Sequence, residues 1–593
     1  MSHYQAPLRD MKFHIDEVLD FPSHYAAFPQ GREATPDIVD AVLESAAQFA
    51  QEVLAPLDSV GDAVGCSWKD GEVTTPPGFK AAYDEYIANG WTSLSMPLEL
   101  GGQGLPASLS GFCMEIHATA NHAWTMYPGL SMGGIQTINA HASEDIKARY
   151  LPPLIAGRWS ATMCLTEAHC GSDLGLLRTR AVPAQDGSYR ISGSKIFISS
   201  GEHDLTDNII HIVLARLPDA PPGIKGISLF VVPKFLVNEQ GEVGARNGVR
   251  CGSIEHKMGI HGNATCVMNF DEATGYLISP PHKGMACMFT FINESRMGVA
   301  QQALAQMEAS HQTALRYARE RVQFRATQRP DATAPADPII LHPDVRRMLL
   351  TQKAFAEGGR ALSYFLARQT DIERYSDDEQ ARATADALLS LLTPIAKGFL
   401  SEVCIEATSY GIQVLGGHGY IREWGQEQHY RDARITSIYE GTTGIQGLDL
   451  LARKILASRG EALKPFVQEV TQFCQRNPHA AYTAVVQQQL QSWIALTTEL
   501  GMKALQNPDE VNAAAYDYLM FAGYTVLAWI WADAARVASA ALETAPAGPE
   551  REFYTGKLVT ARFYFERLLP RTLALAASLR SGVANLPQFP ALD

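Results

Sequence analysis

The run Ile435-Thr436-Ser437-Ile438-Tyr439-Glu440-Gly441-Thr442-Thr443-Gly444-Ile445-Gln446 sets one carboxylate, Glu440, just ahead of a helix start. Thr443 and Gln446 have the spacing of a capping box, and Ile445, Leu448, Leu451, Ala452 and Ile455 then recur at helical period. Glycines on the C-terminal side of the acid let backbone come close to a ligand and expose amide N–H groups to it. The chemistry such a stretch offers is proton abstraction by a carboxylate beside bound anionic groups. The plainer reading is an acid that only complements a helix dipole, so the rest of the chain has to decide.

The elements that must position this acid come in blocks. At 593 residues the chain exceeds what one core can serve, and several packed units are expected. A hydrophobic content of 46% with 19% charged residues describes a globular protein. The net charge of −14 argues against nucleic acid as the principal partner, since phosphate binding needs a basic surface. Nine scattered cysteines, without a CxxC pair or a zinc-like cluster, read as reduced thiols in a cytoplasmic protein, and no metal site is expected. The N-terminus is polar and charged, without a secretory apolar region. The longest uncharged apolar run, Tyr518 to Ala532, is shorter than the roughly 20 residues that span a bilayer, so a buried helix and no integral membrane association are expected.

Residues 1–37 form an N-terminal extension, and 38–160 read as helical, with apolar periodicity over Ile38 to Val53 and Phe79 to Asn89. From 161 to 282 the texture turns to strands, at Tyr189 to Ile198, Ile209 to Ala215 and Ile227 to Val232. Gly, Pro, Asp and Asn punctuate them, which suits a small barrel or folded sheet. Residues 283–458 return to long helical patterns, Phe291 to Arg321, Arg346 to Thr370 and Ala381 to Tyr410, with a surface loop over Ala326 to Pro338. A further helical segment covers 459–593. This α+β order excludes an alternating βαβ sheet, and no G-x-G-x-x-G or Walker motif is present, so any dinucleotide is held without a Rossmann fingerprint.

Further stretches stand out in order along the chain: Leu151-Pro152-Pro153-Leu154-Ile155-Ala156-Gly157, Leu165 to Asp173, Gly193 to Gly201, Arg319-Glu320-Arg321-Val322-Gln323-Phe324, Gln413-Val414-Leu415-Gly416-Gly417-His418-Gly419-Tyr420, and then the Glu440 stretch. In these motifs and in their order, over roughly residues 40 to 455, the chain resembles the acyl-CoA dehydrogenase family. The resemblance implies an N-terminal helical domain, a central β-barrel-like domain and a C-terminal four-helix bundle, here with an extra C-terminal helical domain. It implies FAD, contacted by Met163, Leu165 and Thr166, by Phe197 and Ser199, by Arg321 and Phe324, by Gln413 and Gly417, and by Thr442. It implies CoA and acyl contacts from Ser172, Asn293, Arg296, Tyr439 and Gly441, and it makes Glu440 the catalytic base. Asn293 replaces a frequent Asp, Phe197 a frequent Trp, Gly444 a flavin-contacting side chain, and Ala168-His169-Cys170 the usual Pro-Gly-x. His169 and Cys170 do not make a nucleophilic dyad in this reading, because neighbours rarely face each other and no third group orients them.

The activity implied is α,β-dehydrogenation of a fatty acyl-CoA to trans-2-enoyl-CoA, with electrons passing to an electron-transferring flavoprotein. The segment beyond 455 resembles that of larger family members, including very-long-chain and bacterial 3-methylmercaptopropionyl-CoA dehydrogenases. Medium or long straight chains are expected, with a short thioether acyl-CoA as the alternative, and a homodimer or tetramer as the assembly. Two rivals are an acyl-CoA oxidase and a DNA-associated flavoprotein whose basic C-terminal domain binds duplex. Arg551, Lys557, Arg562, Arg567, Arg571 and Arg580 lean toward the latter, and the acidic remainder of the chain against it.

Overall fold

The computed structural model describes residues 4–238 and 240–586. The chain forms two compact units, one built mainly from Glu44–Gly298 and the other from Ala6–Leu43 together with the chain from Val299 onward.

In the first unit, helices including Ala107–Ala120, His122–His141 and Glu144–Ile155 accompany one seven-stranded sheet. Its strands are β1 (Trp159–Cys164), β2 (Arg180–Pro183), β3 (Tyr189–Ser199), β4 (Asn208–Arg216), β5 (Ile227–Pro233), β6 (Val249–Ile254) and β7 (Thr265–Leu277). The hydrogen-bonded order is β6-β7-β3-β2-β4-β1, and β5 pairs with both β7 and β4. The pairing therefore closes a ring, β7-β3-β2-β4-β5, through a single register contact between β2 and β4 at Arg180 and Arg216. The folded-sheet expectation thus resolves as a small barrel.

Strands β4 and β5 are apolar almost throughout because both of their faces are covered. Ile210, Ile212, Leu214, Ile227, Leu229 and Val231 pack with helix residues such as Ile138, Tyr150, Leu154 and Phe291. The alternate residues Val213, Ala215, Phe230 and Val232 pack with Ile191, Ile198, Val249, Met268 and Phe270 inside the ring.

The second unit is helical. The helix α1 (Gly284–Glu320), from Val299 onward, packs with α2 (Pro343–Tyr375) and α3 (Glu379–Leu415); Ala314, Ala318, Leu349, Val414 and Leu415 share one cluster. Against α2 and α3 lies α4 (Asp509–Thr544), whose apolar stretch is buried where a lone transmembrane segment would be bare. Close approach of α4 to α3 depends on Gly523, where a Cβ would come within 2.2 Å of the Phe399 ring. Among the described residues two helical stretches, α3 with its following 3-10 turn (Glu379–Tyr420) and α4 (Asp509–Thr544), are long and apolar enough to cross a membrane, and most of each apolar window is buried in the fold.

Candidate active site

In the first unit the residues expected to meet the flavin gather where β1 and its following turn run beside β3. The Thr162 hydroxyl donates to the Ser199 carbonyl at 2.6 Å, and the Ile196 amide donates to the Thr166 carbonyl at 2.9 Å. Thr166 and Ser199 are the acceptors of those bonds, and between them lie Met163 and Leu165 on one side and Phe197 on the other. The register of β3 against β7 shifts between Lys195 and Ile198, so Ile196 and Phe197 together face one residue, Val267. This bulge puts Phe197 at φ +58° and leaves its ring 60% exposed. Bulges re-aim side chains in this way beside functional sites, and a left-handed residue with a Cβ costs about 1–2 kcal/mol. An aromatic ring turned outward at that cost is placed to take a flat ligand.

The turn after β1 is tied down from behind. Glu167 is buried, and its oxygens accept from Lys195 Nζ at 2.9 Å, the Arg178 amide at 2.7 Å, the Thr179 amide at 3.0 Å and the Thr179 hydroxyl at 2.6 Å. Burial alone would raise this carboxyl, but Lys195 and these donors hold it down at about 2. Glu167, His169 and Cys170 offer ligand atoms within 4.8 Å of one another, but Glu167 is already committed to these donors. Burial pushes the Cys170 thiol up, with Glu167 adding to the effect, and the His169 ring bonds the Leu176 carbonyl at 3.0 Å, so no nucleophilic pair forms. Ser172 is exposed on the same loop. Asn293 is exposed on α1, whereas Arg296, one turn later, is buried.

In the second unit, Arg321 and Phe324 follow the end of α1 and meet the Gln413–Tyr420 turn through Tyr317, whose hydroxyl bonds His418 Nδ1 at 2.9 Å. Residues 321–324 run alongside 337–339, with the Ile339 amide donating to the Arg321 carbonyl at 2.8 Å and the Asp337 amide to the Phe324 carbonyl at 2.8 Å. Arg321 and Gln413 are exposed, and Phe324 is 81% exposed at φ +56°. A Cβ on Gly416 or Gly417 would meet nothing within 4 Å, so this backbone turn is open to a ligand.

Each unit, taken by itself, has chemistry that fits a part of FAD: the first an aromatic face with hydrogen-bonding neighbours that suits a flavin ring, the second an exposed guanidinium and an open glycine turn that suit phosphates.

Glu440 is half-buried, at φ +57°, and Gly441 follows at φ +91°. These two left-handed residues complete the turn one position earlier than expected. The N-cap is therefore Thr442, extended at φ −57° and ψ 163°, whose hydroxyl accepts from the Ile445 amide at 3.5 Å. Thr443 is not the cap; its hydroxyl donates to Glu402. Gln446 closes no capping box, and its Nε2 donates to the Glu440 carbonyl at 2.8 Å. Tyr439 is half-buried and donates to Gln302, and burial, then the neighbouring Glu440, pushes its phenol well above the usual range.

Two residues of this site escaped sequence reasoning. Lys397 is fully buried on α3 and donates from Nζ to the Gly441 carbonyl. The signal was available, since Lys397 is the only charge in the apolar run Leu391 to Leu400, where an outward lysine would be unusual. Gln446 was noted only as a cap.

Four family models match in succession: acyl-CoA dehydrogenase N-terminal domain over 37–158, middle domain over 162–273, C-terminal domain over 282–456, and an acetyl-CoA dehydrogenase C-terminal-like model over 466–590. A 3-methylmercaptopropionyl-CoA dehydrogenase of Ruegeria pomeroyi is 42% identical, over 95% of this chain and 96% of its own. A broad-specificity linear acyl-CoA dehydrogenase of Mycobacterium tuberculosis is 36% identical, over 99% and 98%. The fold matches that of an acyl-CoA dehydrogenase complexed with FAD from Bacillus anthracis, at a TM-score of 0.73 and 20% identity, over 98% of this chain and 93% of that one. The chain belongs to the acyl-CoA dehydrogenase family, oxidoreductases acting on CH–CH donors with FAD as cofactor.

Proposed function

We propose that the protein converts an acyl-CoA thioester to trans-2-enoyl-CoA with Glu440 as its base. The observation that carries this reading is a half-buried carboxylate held on a strained turn in a chain aligned end to end with acyl-CoA dehydrogenases. The α-hydrogen leaves as a proton to Glu440, its electron pair becomes the new C=C bond, and the β-hydrogen leaves as hydride. Bound FAD supplies the two-electron acceptor chemistry. A carboxylate of ordinary pKa, about 4.3, is a weak base for such a carbon acid. Hydrogen bonds to the developing enolate oxygen then matter most, and the family resemblance makes the Glu440 amide one such donor. The residues assigned to FAD and substrate are those named from the family motifs, and residues 38–160, 161–282, 283–458 and 459–593 are taken as the domains that supply them.

Two acyl classes stand side by side. Medium or long straight chains follow from the expected role of the larger members, and the 42% identical relative supports a short thioether acyl group equally well. We place the protein in the cytoplasm as a homodimer or tetramer, with an electron-transferring flavoprotein as its acceptor. The test is an anaerobic titration of the FAD-loaded protein with butanoyl-, 3-methylmercaptopropanoyl-, octanoyl- and palmitoyl-CoA, following flavin absorbance. Bleaching by one of them, absent in Glu440→Gln, is the expected outcome and names the chain class. Bound FAD that none of the four reduces would overturn the reading.

A further inference from the structure

Glu440 occupies the left-handed region although it carries a Cβ, and such a conformation persists where its surroundings over-determine it. Two buried side chains do so here. Gln446 Nε2 holds the Glu440 carbonyl at 2.8 Å, and Lys397 Nζ holds the next carbonyl, that of Gly441. A trans peptide points its N–H away from its carbonyl, so fixing these two carbonyls also fixes the directions of the Gly441 and Thr442 amides.

Both holders are themselves wedged in place. A Cβ on Gly398, the residue after Lys397, would lie 3.2 Å from the Gln446 Cβ and 2.4 Å from Leu519 of α4. Gly441 approaches so closely that a Cβ there would lie 2.7 Å from Gln446 Nε2. Ser401, one turn after Lys397, donates to both the Lys397 and Thr436 carbonyls, at 2.6 and 3.0 Å, which joins α3 to the segment leading into Glu440.

Stability alone does not account for Gln446, whose Oε1 is buried without a hydrogen-bond partner among the described residues. We propose that Lys397 and Gln446 are positioning residues for the reaction, a two-point clamp that holds the Glu440 turn and so aims the Glu440 carboxylate at the acyl thioester. This rests on the reading of Glu440 as the base.

The test uses the full-length, FAD-loaded protein with Gln446→Leu and Lys397→Met, and the acyl-CoA that reduces the wild type. Gln446→Leu removes one bond to the turn and also removes an unpaired buried oxygen. Its melting temperature should stay level or rise while kcat falls roughly tenfold to a hundredfold and KM stays within about twofold. Amide hydrogen exchange over 438–443 should speed up in the same variant, a readout independent of turnover. Lys397→Met should lower kcat in the same way, and if it folds poorly Gln446→Leu carries the test.

An unchanged kcat in Gln446→Leu, or a loss of kcat that merely follows loss of bound FAD, overturns the clamp. Glu440→Gln, measured alongside, separates the two claims. Turnover retained in Glu440→Gln would sink the base assignment and the clamp with it. An inactive Glu440→Gln beside a fully active Gln446→Leu would sink the clamp alone.

Discussion

Lys195 sits in the middle of β3 with no solvent exposure, and its ammonium has Glu167 Oε1 at 2.9 Å and the Leu165 carbonyl at 3.0 Å. One charge pair thus fixes the backbone on both sides of Thr166. Glu167→Gln leaves that ammonium buried without a counter-charge, and removing one partner of such a pair destabilises by about 3–5 kcal/mol. Calorimetry of the variant should show a lowered melting temperature together with weaker FAD retention, and an unchanged melting temperature would remove the pair's structural role. The pH dependence has a definite sign. The folded-state Glu167 carboxyl lies at about 2, below its ordinary 4.5, so its stabilisation is complete above that ordinary value and is lost as pH falls toward 2. Glu308, held down at about 2 by Arg360 against its own burial, behaves alike. Melting temperature followed downward from neutral pH should therefore drop, and less steeply in Glu167→Gln than in the wild type.

At the scale of elements, the helix behind Glu440 runs from Thr443 to Leu448 and continues as wider π turns to Leu456. It rests directly on α4, because Gly447 lets the Ala515 carbonyl come to where a Cβ would stand at 2.3 Å. That neighbour is backbone and cannot swing aside. Gly447→Val should therefore push the helix off α4, costing about 1–3 kcal/mol or more from overpacking. Since this helix also carries Gln446, turnover should fall together with the melting temperature, and a variant of normal stability and activity would show that the C-terminal helices do not support the site. The long helices and the strands β3, β4 and β5 were legible because burial follows simple periods, whereas β1, β2, β6 and β7 were not named from the sequence. β4 and β5 read as continuous apolar runs, and α1 to α3 as long periodic ones. The Glu440 motif was legible as a string of residues, whereas its turn was not, because left-handed φ at a glutamate leaves no mark in composition. The cap moved from Thr443 to Thr442 for that reason. The roles of Lys195 and Lys397 were hidden in a different way, since a lysine's burial is decided by tertiary partners such as Glu167 and the Gly441 carbonyl.

At the scale of the whole molecule, the segment 6–43 and the helix Pro549–Phe563 meet within the second unit. Asp10, from the N-terminal segment, bonds both Arg360 of α2 and Lys557 of the helix Pro549–Phe563. Arg360 also binds Glu308 of α1 at 2.9 Å, and Lys557 binds Glu357 of α2 at 3.0 Å. Arg360 has no solvent exposure and Lys557 almost none. Around them Phe13 and Phe553 pack edge to face, the Tyr554 hydroxyl donates to Glu17 at 2.8 Å, and Arg9 pairs with Glu550 at 2.8 Å. Burial and the nearby Arg360 push the His14 imidazole down to about 3, so it stays neutral and adds no third cation to the cluster. Asp10 thus answers two buried cations at once, which makes residues 6–43 part of the helical core and not an appendage. Asp10→Asn removes that charge without changing the side chain's size. It should cost about 3–5 kcal/mol, as expected when a buried ion pair loses one partner. Limited proteolysis should then cut within residues 6–43 before it cuts α2 or α4, and the melting temperature should fall even though Asp10 lies outside the proposed catalytic residues. A cleavage pattern and melting temperature equal to the wild type would mean that apolar packing by Phe13, Ile15 and Phe21 holds the segment without the charge cluster.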